Sequence, residues 1–158
     1  MNEQTGPASE TETEVAVQLA EIEVDPPRVG IIMGSKSDMD VMDGAASVLR
    51  EAGVRHEVRV MSAHREPELV AEYCRNARIR GVRVIVAGAG LSAALPGVAA
   101  AHTDLPVIGV PLSSRLSAMG GLDAILSVLQ MPPGVPVAGV GLDNAKNAGH
   151  LALRILRS

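Results

Sequence analysis

From Arg28 onward two kinds of segment alternate, and that alternation limits the fold more than any single motif does. Short, mainly apolar runs at Val29–Met33, Val58–Met61, Val82–Ala87, Val107–Val110 and Val137–Val140 read as strands. Between and after them, Asp40–Ala52, Pro67–Arg80, Ser92–His102, Leu122–Gln130 and Ala145–Leu156 carry apolar residues at helical spacing. The punctuation agrees. Gly53 and Gly81 follow two of the helices, Pro67 opens one at a favoured first-turn position, and Pro106 and Pro111 bracket the fourth strand. Strands alternating with helices make parallel βαβ units with right-handed crossovers, and continuously apolar strands need cover on both faces. The fold expected is α/β, a three-layer α/β/α sandwich with a parallel, flavodoxin-like sheet of about five strands. Ligands of such sheets bind beyond the carboxyl ends of the strands. The loops that matter are therefore 34–39, 61–67, 87–96, 111–121 and 141–145. No repeat of 20–50 residues is visible.

Charge divides the chain in two. Residues 1–27 hold seven acids (Glu3, Glu10, Glu12, Glu14, Glu21, Glu23 and Asp25) and neither Lys nor Arg. Of 18 acids in all, that leaves 11 against 14 bases, a net of +3 on the rest of the chain. The expected organisation is an acidic tail over 1–27 and a single catalytic α/β domain over 28–158. Its acidity and terminal position predict a flexible tail, with a weak helix over Val15–Ile22 as the alternative. Twelve of the bases are Arg, scattered rather than clustered, and with abundant Ala, Gly and Val they read first as coding composition. Tyr73 is the only aromatic residue, which argues against a nucleic-acid module that stacks bases. Cys74 is the only cysteine, so no internal disulfide and no cysteine metal cage can form; within its helix it reads as a small core residue. No run of 18 apolar residues suggests a membrane span, and no basic-then-apolar leader is visible at the N-terminus. Together these point to the cytoplasm, with no membrane or nucleic-acid partner.

Three loops hold groups suited to chemistry. Gly34-Ser35-Lys36-Ser37-Asp38 offers hydroxyls and amides at a helix start, a setting for an anion, without the spacing of a Walker A loop. Taken alone it is equally a turn with a cap, and Asp38 has two uses open to it: helix cap or acceptor for sugar hydroxyls. In Ser62-Ala63-His64-Arg65-Glu66-Pro67, His64 is the side chain best fitted to proton transfer near neutral pH, and Arg65 can grip a phosphate through two N–H groups. His56, His102 and His150 do not fall at a strand's carboxyl end beside Ser and Arg. Glu66 and Glu68 suit the start of a helix and need no catalytic role. Gly88-x-Gly90-x-x-Ala93 mimics a dinucleotide fingerprint but follows the third strand; a flat, side-chain-poor wall for a small planar ligand fits it better. No elbow of the serine-hydrolase type and no converging metal ligands are present in these loops, so no metal is expected.

Read in order, the loops resemble the N5-carboxyaminoimidazole ribonucleotide mutase family of purine biosynthesis. The matching segments are Met33-Gly34-Ser35-Lys36-Ser37-Asp38, Ser62-Ala63-His64-Arg65, Ala87-Gly88-Ala89-Gly90, Leu95-Pro96-Gly97, Pro106–Pro111 and Gln130-Met131-Pro132. The resemblance covers about residues 28–157, and the ordered set is far more specific than any member. It implies an isomerase that moves a carboxyl group from the exocyclic nitrogen of an aminoimidazole ribonucleotide to ring carbon C4, by decarboxylation and recarboxylation, without metal, nucleotide or biotin. It implies His64 as the proton shuttle, Ser35, Ser62 and Arg65 on the 5′-phosphate with Ser37 close by, and Asp38 on the ribose. Ala63 completes the second binding loop, and the Ala89-Gly90-Leu91 backbone lines the base and carboxylate pocket. It also implies a homo-octamer. The chain departs from the family at Ala94, where bacterial mutases usually have His, in a loop 112–121 about two residues longer, and in ending at Ser158 where many members add a helix. Two alternatives stand beside the mutase: a carboxylase acting on the uncarboxylated ribonucleotide (AIR) and free CO2, which lacks the same His but typically has Lys where this chain has Arg65, and a non-catalytic ribonucleotide-binding subunit.

Overall fold

The computed structural model describes residues 25–158; nearly all of the acidic tail lies outside the described residues. Five strands, β1 (Val29–Met33), β2 (His56–Val60), β3 (Val84–Gly90), β4 (Val107–Leu112) and β5 (Ala138–Gly139), form one sheet in the order β2-β1-β3-β4-β5. Every pairing is parallel, with Val29 opposite both His56 and Val84, and Met33 opposite Val60 and Gly88. This is the flavodoxin-like order expected from the alternation. Five helices connect or follow the strands: α1 (Met39–Glu51), α2 (Pro67–Ala77), α3 (Ala94–Ala101), α4 (Leu122–Leu129) and α5 (Ala145–Arg157).

The two-residue period of the strands sorts the core into two layers. Val29, Ile31, Met33, Val84, Val86, Ile108 and Val110 face one way, onto Met42, Ala45 and Leu49 of α1 and Ala148 and Ala152 of α5. Ile32, Ile85, Ala87, Ala89 and Val107 face the other way, onto Val70 and Cys74 of α2, Leu95 and Ala99 of α3, and Ala124 and Val128 of α4. Cys74 is buried in that second layer, and burial pushes its thiol up to about 11.

Several element boundaries differ from the sequence expectation, β5 being cut to two residues and α2 ending at Ala77 rather than Arg80, and four differences bear on how the sheet and site are built. β2 begins at His56 and lies on the sheet edge with Val58, Arg59 and Val60 exposed, so it is not covered on both faces. β3 runs on through Gly88-Ala89-Gly90, which its glycines had marked as loop; those residues pair with Val110, Pro111 and Leu112. β4 passes through Pro111, whose carbonyl accepts from the Asp143 amide at 2.9 Å, so the missing proline N–H falls on the side beyond the short β5 and costs the β3 pairing nothing. α3 starts at Ala94 rather than Ser92, because Ala93 takes φ 22 and breaks the helical path.

Candidate active site

The chain leaves β1 toward β2 on one side and returns to β3 on the other, so the carboxyl ends of β1 and β3 flank the switch point of the sheet. A cavity of about 310 Å³ opens there. Ser35, Ser37, Asp38, Ser62, Ala63, His64, Arg65, Ala89, Gly90 and Leu91 all line it. Three segments far apart in the chain are thus brought to one mouth.

The first loop is held by its own hydroxyls. Ser35, in extended conformation, accepts through Oγ from the Ser37 amide at 3.2 Å and the Ser37 hydroxyl at 2.9 Å, capping a single turn over Lys36–Asp38. Of the two uses open to Asp38, capping is not the one seen: its side chain makes no cap bond to α1. The half-buried carboxylate stands at the cavity instead. Burial pushes its pKa above the ordinary carboxyl value, against the pull of the Ser35 amide, the Ser37 hydroxyl and the Arg65 charge.

The second loop is a tight turn tied to the first. The Glu66 amide donates to the Ser62 carbonyl at 2.8 Å, the Arg65 amide to the Ser62 hydroxyl at 3.3 Å, and the Glu66 carboxylate accepts from the Ser62 amide at 3.4 Å. Pro67 then opens α2 in its first turn. Arg65 reaches back, donating from Nη2 to the Gly34 carbonyl at 2.8 Å, which sets its guanidinium between the two loops. Ser62 is buried, whereas His64 and Arg65 are exposed at the opening. His56 on β2, His102 just after α3 and His150 on α5 do not line the cavity.

The third wall is backbone. A Cβ on Gly90 would lie 2.9 Å from the Leu112 carbonyl oxygen, so only glycine lets the ends of β3 and β4 approach this closely. Leu91 follows at φ 55, a left-handed conformation that costs a non-glycine residue on the order of 1 kcal/mol. Gly34, Ala94, Leu95, Leu112, Ser113 and Ser114 complete the lining. Ser113 is fixed by Asp143, which accepts from its amide at 2.8 Å and its hydroxyl at 2.5 Å. The loop 111–121 stands out in the sequence only by its place after β4; nothing there distinguishes Ser113, and its partner lies 30 residues on. Loop 141–145 does not line the cavity; it acts through Asp143.

The fold and the cavity define a class: a parallel α/β protein whose switch-point pocket offers a hydroxyl- and arginine-rich end, one carboxylate, one exposed histidine and a backbone wall, a setting for a small phosphorylated ligand and proton transfer. The chain belongs to the AIR carboxylase family, whose model matches residues 28–158. It is 58% identical over 135 residues to the N5-carboxyaminoimidazole ribonucleotide mutase of Pyrococcus abyssi, covering 85% of this chain and 76% of that one. It is 56% identical over 128 residues to the chloroplastic phosphoribosylaminoimidazole carboxylase of Vigna aconitifolia, covering 81% of this chain but 23% of that longer protein. The crystal structure of Treponema denticola PurE superposes with a TM-score of 0.72 at 34% identity, covering 82% of this chain and 79% of that one.

Proposed function

We propose that this chain is an N5-carboxyaminoimidazole ribonucleotide mutase of de novo purine biosynthesis, and that residues 28–158 form its catalytic domain. The observation that carries the reading is the meeting of His64 with Ser35, Ser37, Asp38, Ser62 and Arg65 around one cavity at the switch point. Arg65, Ser35 and Ser62 hold the 5′-phosphate, with Ser37 beside them. Asp38 accepts from the ribose hydroxyls. The Ala89-Gly90-Leu91 backbone, with Ala63 opposite, encloses the base.

The chemistry needs one proton carrier and one enclosed space. The N–carboxylate bond breaks, its electron pair stays on the exocyclic nitrogen, and His64 gives that nitrogen a proton as CO2 forms. C4 then attacks the retained CO2, and His64 takes the proton that C4 loses. Atoms and charge balance with no co-reactant. The apolar side of the cavity, Ala89, Leu91, Ala94 and Leu95, keeps water out and holds the released CO2 beside the ring. We also read the chain as a cytoplasmic homo-octamer; the exposed Leu122, Leu126 and Leu129 on α4 support association between subunits.

The test is His64→Asn, assayed by interconversion of the two carboxylated ribonucleotides. Loss of the acid–base group lowers turnover by about 100-fold or more; near-wild-type turnover sinks the assignment. Supplying the uncarboxylated ribonucleotide with bicarbonate at physiological concentration separates the mutase from a direct carboxylase: the mutase gives no product there and does so from the N-carboxylated substrate. Ribonucleotide binding without turnover of either substrate would instead mark a non-catalytic subunit.

A further inference from the structure

At the end of the sheet opposite the active site, where β1 and β2 begin, a groove of about 240 Å³ runs between the start of the described chain and α5. Its floor is apolar: Val54, Leu153 and Leu156. Its rim is basic: Arg28, Arg55 and Arg157, all exposed, line it, and Asp25 is its single carboxylate. None of the three arginines forms an ion pair with a described residue, whereas Arg50, Arg59, Arg78 and Arg80 each do.

The chain enters this groove at Asp25, directly after the segment that carries six acids and no base in 24 residues. Within it, Val15, Leu19 and Ile22 recur at helical spacing, with Glu14 and Glu21 on one side of that stripe and Glu23 on the other. An apolar stripe edged by carboxylates thus stands next in the chain to an apolar floor edged by guanidiniums. The reach is short: Leu19 is six residues from Asp25, at most about 20 Å of extended chain.

We propose that the N-terminal segment of this chain docks back onto its own domain, with Glu14–Glu23 helical in the groove, its apolar stripe on Val54, Leu153 and Leu156 and its carboxylates on Arg28, Arg55 and Arg157. Exposed ion pairs contribute little one at a time, so the contact needs both the apolar floor and several pairs. It is tethered, which holds the effective concentration of the segment high without a large interface. The site of the proposed reaction lies at the other end of the strands, so docking and turnover are separable.

The experiment uses the full chain. Amide hydrogen exchange over residues 15–22 is at least tenfold slower than the rate of an unstructured peptide of the same sequence. That protection disappears in Arg55→Glu/Arg157→Glu and returns when Glu21→Arg/Glu23→Arg is added. It also weakens in 1 M salt, where the screening length falls to about 3 Å. Because Cys74 is buried, a Leu19→Cys/Val54→Cys pair reports the geometry. Mild oxidation joins residues 19 and 54 within one chain, and the Arg→Glu pair suppresses the bond while leaving the thermal melting curve in place. Exchange at unstructured rates in the wild type overturns the proposal. So does protection indifferent to charge reversal, or a disulfide found only between two chains, which would give the groove to a second copy.

Discussion

Asp38 shows a side chain placed against its own stability. Burial raises its carboxyl pKa, so its folded value lies above its unfolded one. A group shifted in this direction favours folding below its unfolded pKa, and that contribution is lost as pH rises through the folded value. Asp38→Asn therefore makes the protein more stable than wild type at neutral pH, with the difference vanishing toward acid; urea unfolding across pH 3–8 measures it. The same substitution removes a charged acceptor from the ribose, a loss of about 1.5–3 kcal/mol, so KM rises about 10- to 100-fold. A variant that is both more stable and a poorer binder is the expected outcome; unchanged KM would contradict the ribose role. At this scale much of the cavity was legible. His64 stood out from three other histidines because it follows a strand beside Ser and Arg. Ser113 was not legible, since its orientation comes from Asp143 and an exposed serine after a strand carries no mark of that.

Among the elements, β2 departs furthest from expectation. It is the edge of the sheet, and His56, Glu57 and Arg59 give it a polar character that discourages pairing with another chain. Its inward anchor is Glu57, which accepts from the Tyr73 hydroxyl at 2.9 Å and forms ion pairs with Arg80 at 2.7 Å and Arg59 at 3.2 Å. The Arg80 guanidinium also lies 4.7 Å from the centre of the Tyr73 ring. Burial would raise the Glu57 carboxyl, but Arg80, Tyr73 and Arg59 together outweigh it and hold it below its ordinary value of 4.5. The sign is opposite to that at Asp38: the contribution is full above pH 4.5 and is lost as pH falls through the lower folded value. Glu57→Gln accordingly costs about 1 kcal/mol at neutral pH, a modest figure because solvent reaches the cluster. Unfolding curves of the variant and wild type converge in acid; a difference constant with pH would mean that the charge is not the cause. Tyr73, noted in the sequence only as the lone aromatic, is thus a clamp between α2 and β2. The glycines of β3 misled for a related reason. In isolation Gly88-Ala89-Gly90 signals a turn, whereas in the sheet its smallness admits Met42 against Gly88 and Leu112 against Gly90.

For the molecule as a whole, five of the eleven exposed large apolar side chains among the described residues fall between residues 116 and 129. Leu122, Leu126 and Leu129 lie along α4, and Leu116 and Met119, each more than 80% exposed, precede it. If that face joins subunits of the proposed octamer, Leu126→Glu/Leu129→Glu lowers the mass measured by analytical ultracentrifugation while circular dichroism stays unchanged; an unaltered mass would free the face from that role. The charge division bears on the same scale. The +3 body needs no polyanionic partner, since Arg65 stands at the cavity and Arg28, Arg55 and Arg157 ring a groove beside the acidic segment. The sequence by itself determined the layer architecture and the loops that build the cavity, because periodicity and the punctuation by Gly and Pro are local properties of the chain. It also carried the motifs that meet there. Only the tertiary structure decided that β2 is an edge, that β3 runs through its glycines, that Asp143 aims Ser113, and that three arginines from distant segments surround the point where the tail begins. Each of these depends on which residues become neighbours across the sheet, and pairing between distant segments leaves no period in the sequence.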